Sequence, residues 1–161
     1  MTYLITFACY GCRLHGDAAG SVDRKHNLLG SRLIETDPKR LAGERSLMDQ
    51  PPYCMDEGRR QAVLASVMDR CADRSWRLLA AHIRTNHVHV VVEAEAQPER
   101  VMNDLKSYAS RRLNQLEFDH ASRKRWARHG STRWLGTRED VFAPIRYVMD
   151  QQGEQMAAYQ A

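Results

Sequence analysis

The chain has 161 residues, the length of about one domain that can bury a sizeable core. Hydrophobic residues make up 43% of it and charged residues 27%, which excludes collagen-like, disordered and disulfide-scaffold classes. No apolar run approaches the ~18 residues of a membrane span, and the N-terminus lacks the basic leader of a signal peptide. We therefore expect a cytoplasmic protein with no membrane partner.

Positive charge is concentrated in one part of the chain. The formal net charge is +4, but residues 106–138 alone hold nine Lys and Arg against two acidic residues. Of the 24 basic residues in the chain, 20 are Arg, whose planar fork pairs with phosphate and stacks on bases. A nucleic-acid partner is therefore a candidate, and a solvated basic face is the alternative.

The first half of the chain predicts a strand, a long loop and a helix. Residues 3–9 form a short apolar run typical of a buried strand. Residues 11–52 are rich in Gly, Asp, Arg and Pro without periodicity, which predicts a long loop or insertion. Asp56 is expected to cap a helix that reaches about residue 75, because apolar residues then recur at helical spacing.

The next stretch predicts a hairpin followed by a second helix. Residues 76–83 and 87–93 are two strand-like runs, and the short connection between them favours antiparallel pairing. Pro98 stands where the first turn of a helix tolerates proline, and the apolar residues after it repeat at three and four as far as about residue 116.

The C-terminal part predicts a short strand at residues 133–135 and a last helix that ends near residue 153. Either Thr137 or Asp140 would open this helix, and Pro144 must lie in its first turn or kink its axis. The whole order of elements predicts one α+β domain over residues 1–161, close to a ferredoxin-like sandwich with helices packed on an antiparallel sheet.

Two histidines on the second strand of the hairpin are candidate metal ligands. A strand has a period of two, so His87 and His89 share one face, while Val88 and Val90 point to the other. Two imidazoles on one rigid surface can bind one metal ion or one phosphate. A pair of solvent-facing histidines on a half-exposed strand is the alternative.

The last helix carries a candidate nucleophile. Tyr147 and Gln151 are four residues apart, so a hydroxyl and an amide carbonyl would project from one helix face toward a metal held by the histidines. A tyrosine hydroxyl ionises near pH 10 and is a poor nucleophile at pH 7, but a divalent cation that polarises a phosphate would help it. A tyrosine that packs under the sheet with its hydroxyl in water is the alternative.

These residues resemble the single-tyrosine HUH transposases of bacterial insertion sequences, including the relatives associated with repetitive extragenic palindromes. His87-Val88-His89 resembles the histidine-hydrophobic-histidine strand of that superfamily. Residues 106–114 are similar to its basic helix, and residues 147–151 are similar to its terminal tyrosine helix. With the opening strand included, the resemblance covers residues 3 to about 153.

The resemblance implies metal-dependent, site-specific nicking and joining of single-stranded DNA. His87, His89 and Gln151 would hold Mg²⁺ or Mn²⁺ as the cofactor. Tyr147 would attack a phosphodiester and form a 5′-phosphotyrosine intermediate with a free 3′-hydroxyl. Asp150 is a reserve ligand or base.

The partner that the resemblance implies is single-stranded or hairpin DNA. Trp126 or Trp134 could stack on an unpaired base, and basic side chains could bind phosphates. The candidate DNA-binding residues are Lys106, Arg111, Arg112, Arg123, Lys124, Arg125, Arg128 and Arg133. Relatives include both monomers and homodimers that exchange tyrosine helices, so both states stay open.

Three alternatives remain at this stage. Tyr108 is a rival nucleophile, although its place in an apolar stripe favours packing. A non-catalytic nucleic-acid-binding module would keep salt-dependent DNA affinity without forming an adduct. A hydrolytic metallonuclease would use water as the nucleophile, and Tyr147 would only pack.

Overall fold

The structure is a computed structural model that describes residues 1–12 and 35–161. Its elements in chain order are β1 (Thr2–Ala8), α1 (Pro38–Ser46), α2 (Glu57–Asp73), β2 (Arg77–Ile83), β3 (His87–Glu93), α3 (Pro98–Gln115), β4 (Ser131–Leu135), α4 (Arg138–Asp150) and β5 (Ala157–Gln160). Within these two ranges, no helix has the length and apolar character that a membrane span requires.

The five strands form one antiparallel sheet in the order β4-β1-β3-β2-β5. Strands β1 to β4, with α2 and α3 between them, follow the βαββαβ order of a ferredoxin-like sandwich. The predicted α+β fold class is therefore confirmed. The chain then adds α4 and a fifth strand, β5, which pairs with β2 at the edge of the sheet.

Helices cover both faces of the sheet. The larger core lies under α2 and α3, and its strand residues include Ile5, Phe7, Val88 and Val90. The smaller core lies under α4 and consists of Leu4, Ala80, Val91, Leu135 and Val148. Strand β3 is buried on both sides, which explains its continuous run of valines.

Most predicted elements agree with the structure to within two or three residues. Strand β3 has the predicted bounds, and Asp56 caps α2 by accepting a hydrogen bond from the Arg59 amide at 2.9 Å. Thr137 is the N-cap of α4 and forms a reciprocal capping box with Asp140. Local signals were sufficient here because each cap residue precedes a clear apolar repeat.

The structure differs from the predicted elements in two places. Helix α1 lies inside the stretch predicted as a loop, and none of its residues is buried, so no apolar repeat indicated it. Residues 13–34 of that stretch lie outside the described residues. Strand β5 was not predicted. Of the two alternatives given for Pro144, the first turn is excluded, because the proline lies in the middle of α4.

Candidate active site

Strand β3 places His87 and His89 side by side on the sheet face that α4 covers. Their ring centroids are 4.7 Å apart and their planes are nearly perpendicular. Both residues are buried, at 5% and 2% exposure, so they are not a solvent-facing pair. The strand period correctly predicted their shared face, but only the position of α4 explains their burial.

The Nδ1 atom of each imidazole meets a polar group from a neighbouring part of the sheet. His87 Nδ1 lies 2.6 Å from Asn86 Oδ1, and His89 Nδ1 lies 2.8 Å from the Thr6 hydroxyl. Thr6 stands directly opposite His89 on β1. Because an amide oxygen only accepts, His87 donates from Nδ1, which leaves its Nε2 as the nitrogen with a lone pair. Contacts of this kind orient histidines that bind metals.

Helix α4 brings Tyr147 to the same pair. The Tyr147 ring meets His89 edge-on with centroids 5.7 Å apart. Tyr147 is half-buried, and the neighbouring Val148 anchors the helix in the smaller core. The structure therefore joins the predicted tyrosine and the predicted histidines within one chain.

The glutamine that reaches the histidines is Gln152, not the predicted Gln151. Gln151 is the C-cap of α4 and is exposed. Gln152 Oε1 lies 3.0 Å from His89 Nε2, and its amide nitrogen donates to the Tyr147 carbonyl at 3.3 Å. The prediction that Tyr147 and Gln151 share one helix face assumed a helix that ends near residue 153, but α4 ends at Asp150. The chain then leaves helical geometry and turns the next side chain inward.

The donor set fits a divalent metal ion. Imidazole nitrogens and an amide oxygen are ligands that Mg²⁺ or Mn²⁺ accepts. The 3.0 Å between His89 Nε2 and Gln152 Oε1 matches adjacent ligands of an octahedron at about 2.1 Å from its centre. The described residues contain no suitable cluster of three His, Cys, Asp or Glu. Gln152 Oε1, in contact with His89, is the candidate third donor beside the two histidines.

The reserve ligand Asp150 and the rival nucleophile Tyr108 lie away from the two histidines and Gln152. Asp150 is exposed at the end of α4. Tyr108 lies on α3, which packs on the opposite face of the sheet, and the guanidinium groups of Arg70 and Arg111 lie 5.1 Å and 5.5 Å from its ring. Tyr147 is the tyrosine on the histidine face.

Two of the predicted DNA-binding residues, Lys106 and Arg125, are buried. Lys106 is buried, and its ammonium donates to the carbonyls of Ala127 and His129 at 3.0 and 3.1 Å. Arg125 is also buried and donates to the Asn114 side chain at 2.8 Å. Both residues fasten the 119–130 loop to α3, so neither side chain is presented to a ligand on the surface.

Three further basic residues have partners at the surface. These contacts are Arg112 with Asp69, Lys124 with Asp49, and Arg123 with the Pro51 carbonyl. Sequence counting could not separate them from ligand-binding cations, since their acidic or carbonyl partners lie more than 40 residues away. The high charge of residues 106–138 is thus partly neutralised by the rest of the chain.

The other three predicted cations remain closer to solvent. Arg111 and Arg128 are exposed, and Arg133 is half-buried on edge strand β4. Arg133 stands opposite Leu4 and therefore on the histidine face of the sheet. Its Nη1 is buried and makes no hydrogen bond within the described part of the chain.

The two candidate tryptophans differ in environment. Trp126 packs edge-on against Phe7 and donates from its indole nitrogen to the Lys106 carbonyl at 3.0 Å. Trp134 on β4 is 64% exposed. Only Trp134 presents a free aromatic surface among these two.

The fold and the histidine strand define a transposase-like α+β protein. The family model described as "Transposase IS200 like" matches residues 53–136, just over half of the sequence, so the chain belongs to the IS200-like transposase family. This result confirms the resemblance seen in the sequence. The matched range contains His87 and His89, whereas Tyr147 and Gln152 lie beyond it.

A solved structure shows the same fold. A REP-associated tyrosine transposase bound to a REP hairpin is similar, with a TM-score of 0.52 and 10% identity over 93% of this chain and 65% of that chain. This chain thus spans just under two thirds of that protein's length. A candidate transposase from Deinococcus radiodurans R1 gives a TM-score of 0.46 and 13% identity over 94% and 90% of the two chains. Among curated proteins, no sequence matches this chain.

Proposed function

We propose that this chain nicks and joins single-stranded DNA, with Tyr147 as the nucleophile and His87, His89 and Gln152 as ligands of Mg²⁺ or Mn²⁺. The observation that carries the proposal is the meeting of three groups at His89. The Tyr147 ring lies against this imidazole, Gln152 Oε1 lies 3.0 Å from its Nε2, and His87 lies beside it. Gln152 takes the role that the sequence resemblance assigned to Gln151.

The reaction is an exchange of phosphoester bonds. The Tyr147 oxygen attacks the phosphorus, so that a bond from phosphorus to the tyrosine oxygen forms as the bond to the 3′-oxygen breaks. The phenol proton passes through solvent to the departing 3′-oxygen. A 5′-phosphotyrosine and a 3′-hydroxyl result, and attack by a 3′-hydroxyl rejoins strands without ATP because the number of phosphoester bonds is conserved. A bound divalent ion supplies neutralisation of charge on the scissile phosphate.

Hairpin-containing single-stranded DNA is the substrate class that we propose. The similar REP-associated transposase is bound to a REP hairpin. In this chain, Arg133 is half-buried on the histidine face of the sheet, and a guanidinium group there can pair with a phosphate oxygen. Trp134 on the same strand offers an exposed ring on which an unpaired base can stack.

The decisive experiment uses Mn²⁺ and hairpin-containing oligonucleotides drawn from the DNA that flanks the gene. We expect a denaturation-resistant protein–DNA adduct whose mass maps to Tyr147. Tyr147→Phe should abolish the adduct, whereas the matched variant Tyr108→Phe should keep it, since Tyr108 is on the other side of the sheet. Cleavage without an adduct would replace the proposal with hydrolysis by a metallonuclease. Tight binding with neither product would replace it with a binding module.

A further inference from the structure

A third histidine lies beside the two proposed ligands and has no part in the chemistry above. His82 stands directly opposite His89 on strand β2, so its side chain shares the face beneath α4. It is completely buried, at 0% exposure. Burial lowers the pKa of His82, in agreement with a neutral ring. A fully buried histidine is uncommon unless its ring nitrogens are satisfied.

The two ring nitrogens of His82 are hydrogen-bonded to two backbone groups, of which one is an acceptor and the other a donor. Its Nδ1 lies 2.8 Å from the Val148 carbonyl, which can only accept. Its Nε2 accepts from the Met156 amide at 3.0 Å. The two backbone groups therefore fix both the neutral state and the tautomer of the imidazole.

These two backbone groups bracket the segment that completes the site. Val148 follows the proposed nucleophile Tyr147, and Met156 immediately precedes β5. Gln152 lies between them, on the turn after α4. One rigid ring on β2 thus holds both ends of the turn whose side chain reaches His89.

We infer that His82 is a positioning residue, which holds Tyr147 and Gln152 against His87 and His89 through the Val148 carbonyl and the Met156 amide. The inference rests on the proposed function for its effect on activity. A ligand on a loosely held turn would have to be ordered on each binding event, and a misplacement of the nucleophile by about 1 Å can slow the reaction by about a hundredfold.

The test compares three variants of the full chain. His82→Phe keeps an aromatic ring but loses both hydrogen bonds. His82→Asn places its amide nitrogen where Nδ1 lies and can restore the bond to the Val148 carbonyl. Val67→Ala, at a fully buried site of α2 on the opposite face, is the control for a simple loss of core packing.

Binding of Mn²⁺ alone is measured by electron paramagnetic resonance, and adduct formation is measured in a single turnover across a Mn²⁺ titration. For His82→Phe we expect Mn²⁺ affinity to fall by about tenfold or more, and the adduct rate to stay below wild type even at saturating Mn²⁺. His82→Asn should recover part of both losses. Val67→Ala should change neither at a temperature where it is folded. Equal behaviour of His82→Phe and Val67→Ala would overturn the inference.

A readout that needs no metal separates this inference from the proposed function. Nuclear Overhauser contacts between the side-chain amide protons of Gln152 and the His89 ring should be present in wild type and lost in His82→Phe. Contacts between β1 and β3 should persist in both proteins. If wild type neither binds Mn²⁺ nor forms an adduct, the proposed function fails, and loss of the contacts between Gln152 and His89 would still support the positioning role. Their persistence in His82→Phe would refute that role.

Discussion

Which of the two adjacent glutamines, Gln151 or Gln152, faces the histidines depends on where the chain leaves helix α4. Gln152 contacts His89, whereas Gln151 is exposed. We predict that Gln152→Ala weakens Mn²⁺ binding by about tenfold or more, since loss of a ligand costs at least what loss of an orienting contact does. Gln151→Ala is the matched control and should bind Mn²⁺ like wild type. Isothermal titration of both variants measures this, and the reverse order of effects would restore Gln151 as the ligand.

Lys106 predicts a pH dependence of stability. Burial lowers the pKa of its ammonium from 10.5 to about 8. The unfolded chain keeps this proton up to about pH 10.5 while the folded chain releases it from about pH 8, so its contribution to the free energy of unfolding rises between those values. The full rise is about 3 kcal/mol, at about 1.4 kcal/mol for each pH unit.

Urea unfolding of Lys106→Met at a series of pH values from 7 to 10.5 measures this contribution. The variant should lose the rise that wild type shows above about pH 8. Lys39→Met removes an exposed lysine of α1 and should keep the wild-type slope. Parallel pH profiles for wild type and Lys106→Met would contradict the prediction.

Among residues, sequence patterns predicted the shared face of the two histidines but not the burial of Lys106 and Arg125. The alternation along residues 87–93 is a local property, and it placed both histidines on one face. Whether Lys106 faces solvent depends on carbonyls of a loop up to 23 residues away, and whether Arg125 does depends on the Asn114 side chain of α3. No local pattern contains that information.

At the scale of elements, the N-terminus of α4 depends on its capping box. Thr137 accepts from the Asp140 amide at 3.2 Å, and the Asp140 carboxylate accepts from the Thr137 amide at 2.9 Å. We predict that Thr137→Ala lowers the free energy of unfolding by about 1 kcal/mol, because the start of the helix loses the acceptor of the Asp140 amide. Thr137→Ser keeps the hydroxyl and should lose much less. Equal stability of the two variants in urea unfolding would show that the cap contributes nothing.

Elements with strong apolar periodicity could be predicted, and those without it could not. α2, α3 and β3 bury one or both faces, so their sequences carry the repeat. α1 buries no residue, and β5 has four residues and one buried side chain. Helix α1 and strand β5 depend on capping residues or on contacts with distant parts of the chain, and apolar periodicity does not detect either. The end of α4 belongs to the same class: the predicted helix reaches about residue 153, whereas α4 ends at Asp150, and Gln152 rather than Gln151 contacts His89.

At the scale of the whole molecule, helix α4, which carries the proposed nucleophile, is attached to the sheet at both of its ends. β4 precedes α4 and β5 follows it, and these two strands form opposite edges of the sheet. We therefore predict that the site assembles within one chain. A mixture of Tyr147→Phe and His89→Ala proteins should form no DNA adduct, because neither chain contains a complete site. The adduct yield of the mixture measures this, and recovery to about a quarter or half of wild type would instead indicate exchange of tyrosine helices between subunits.

The edge positions of β4 and β5 also bear on how the protein behaves at high concentration. The three inner strands have seven residues each, whereas β4 has five and β5 has four. A short edge offers few backbone groups to an incoming strand of another molecule, and short edges are one way in which natural sheets avoid joining side to side. The segment that brings the tyrosine to the histidines therefore also shields the longer strands from aggregation.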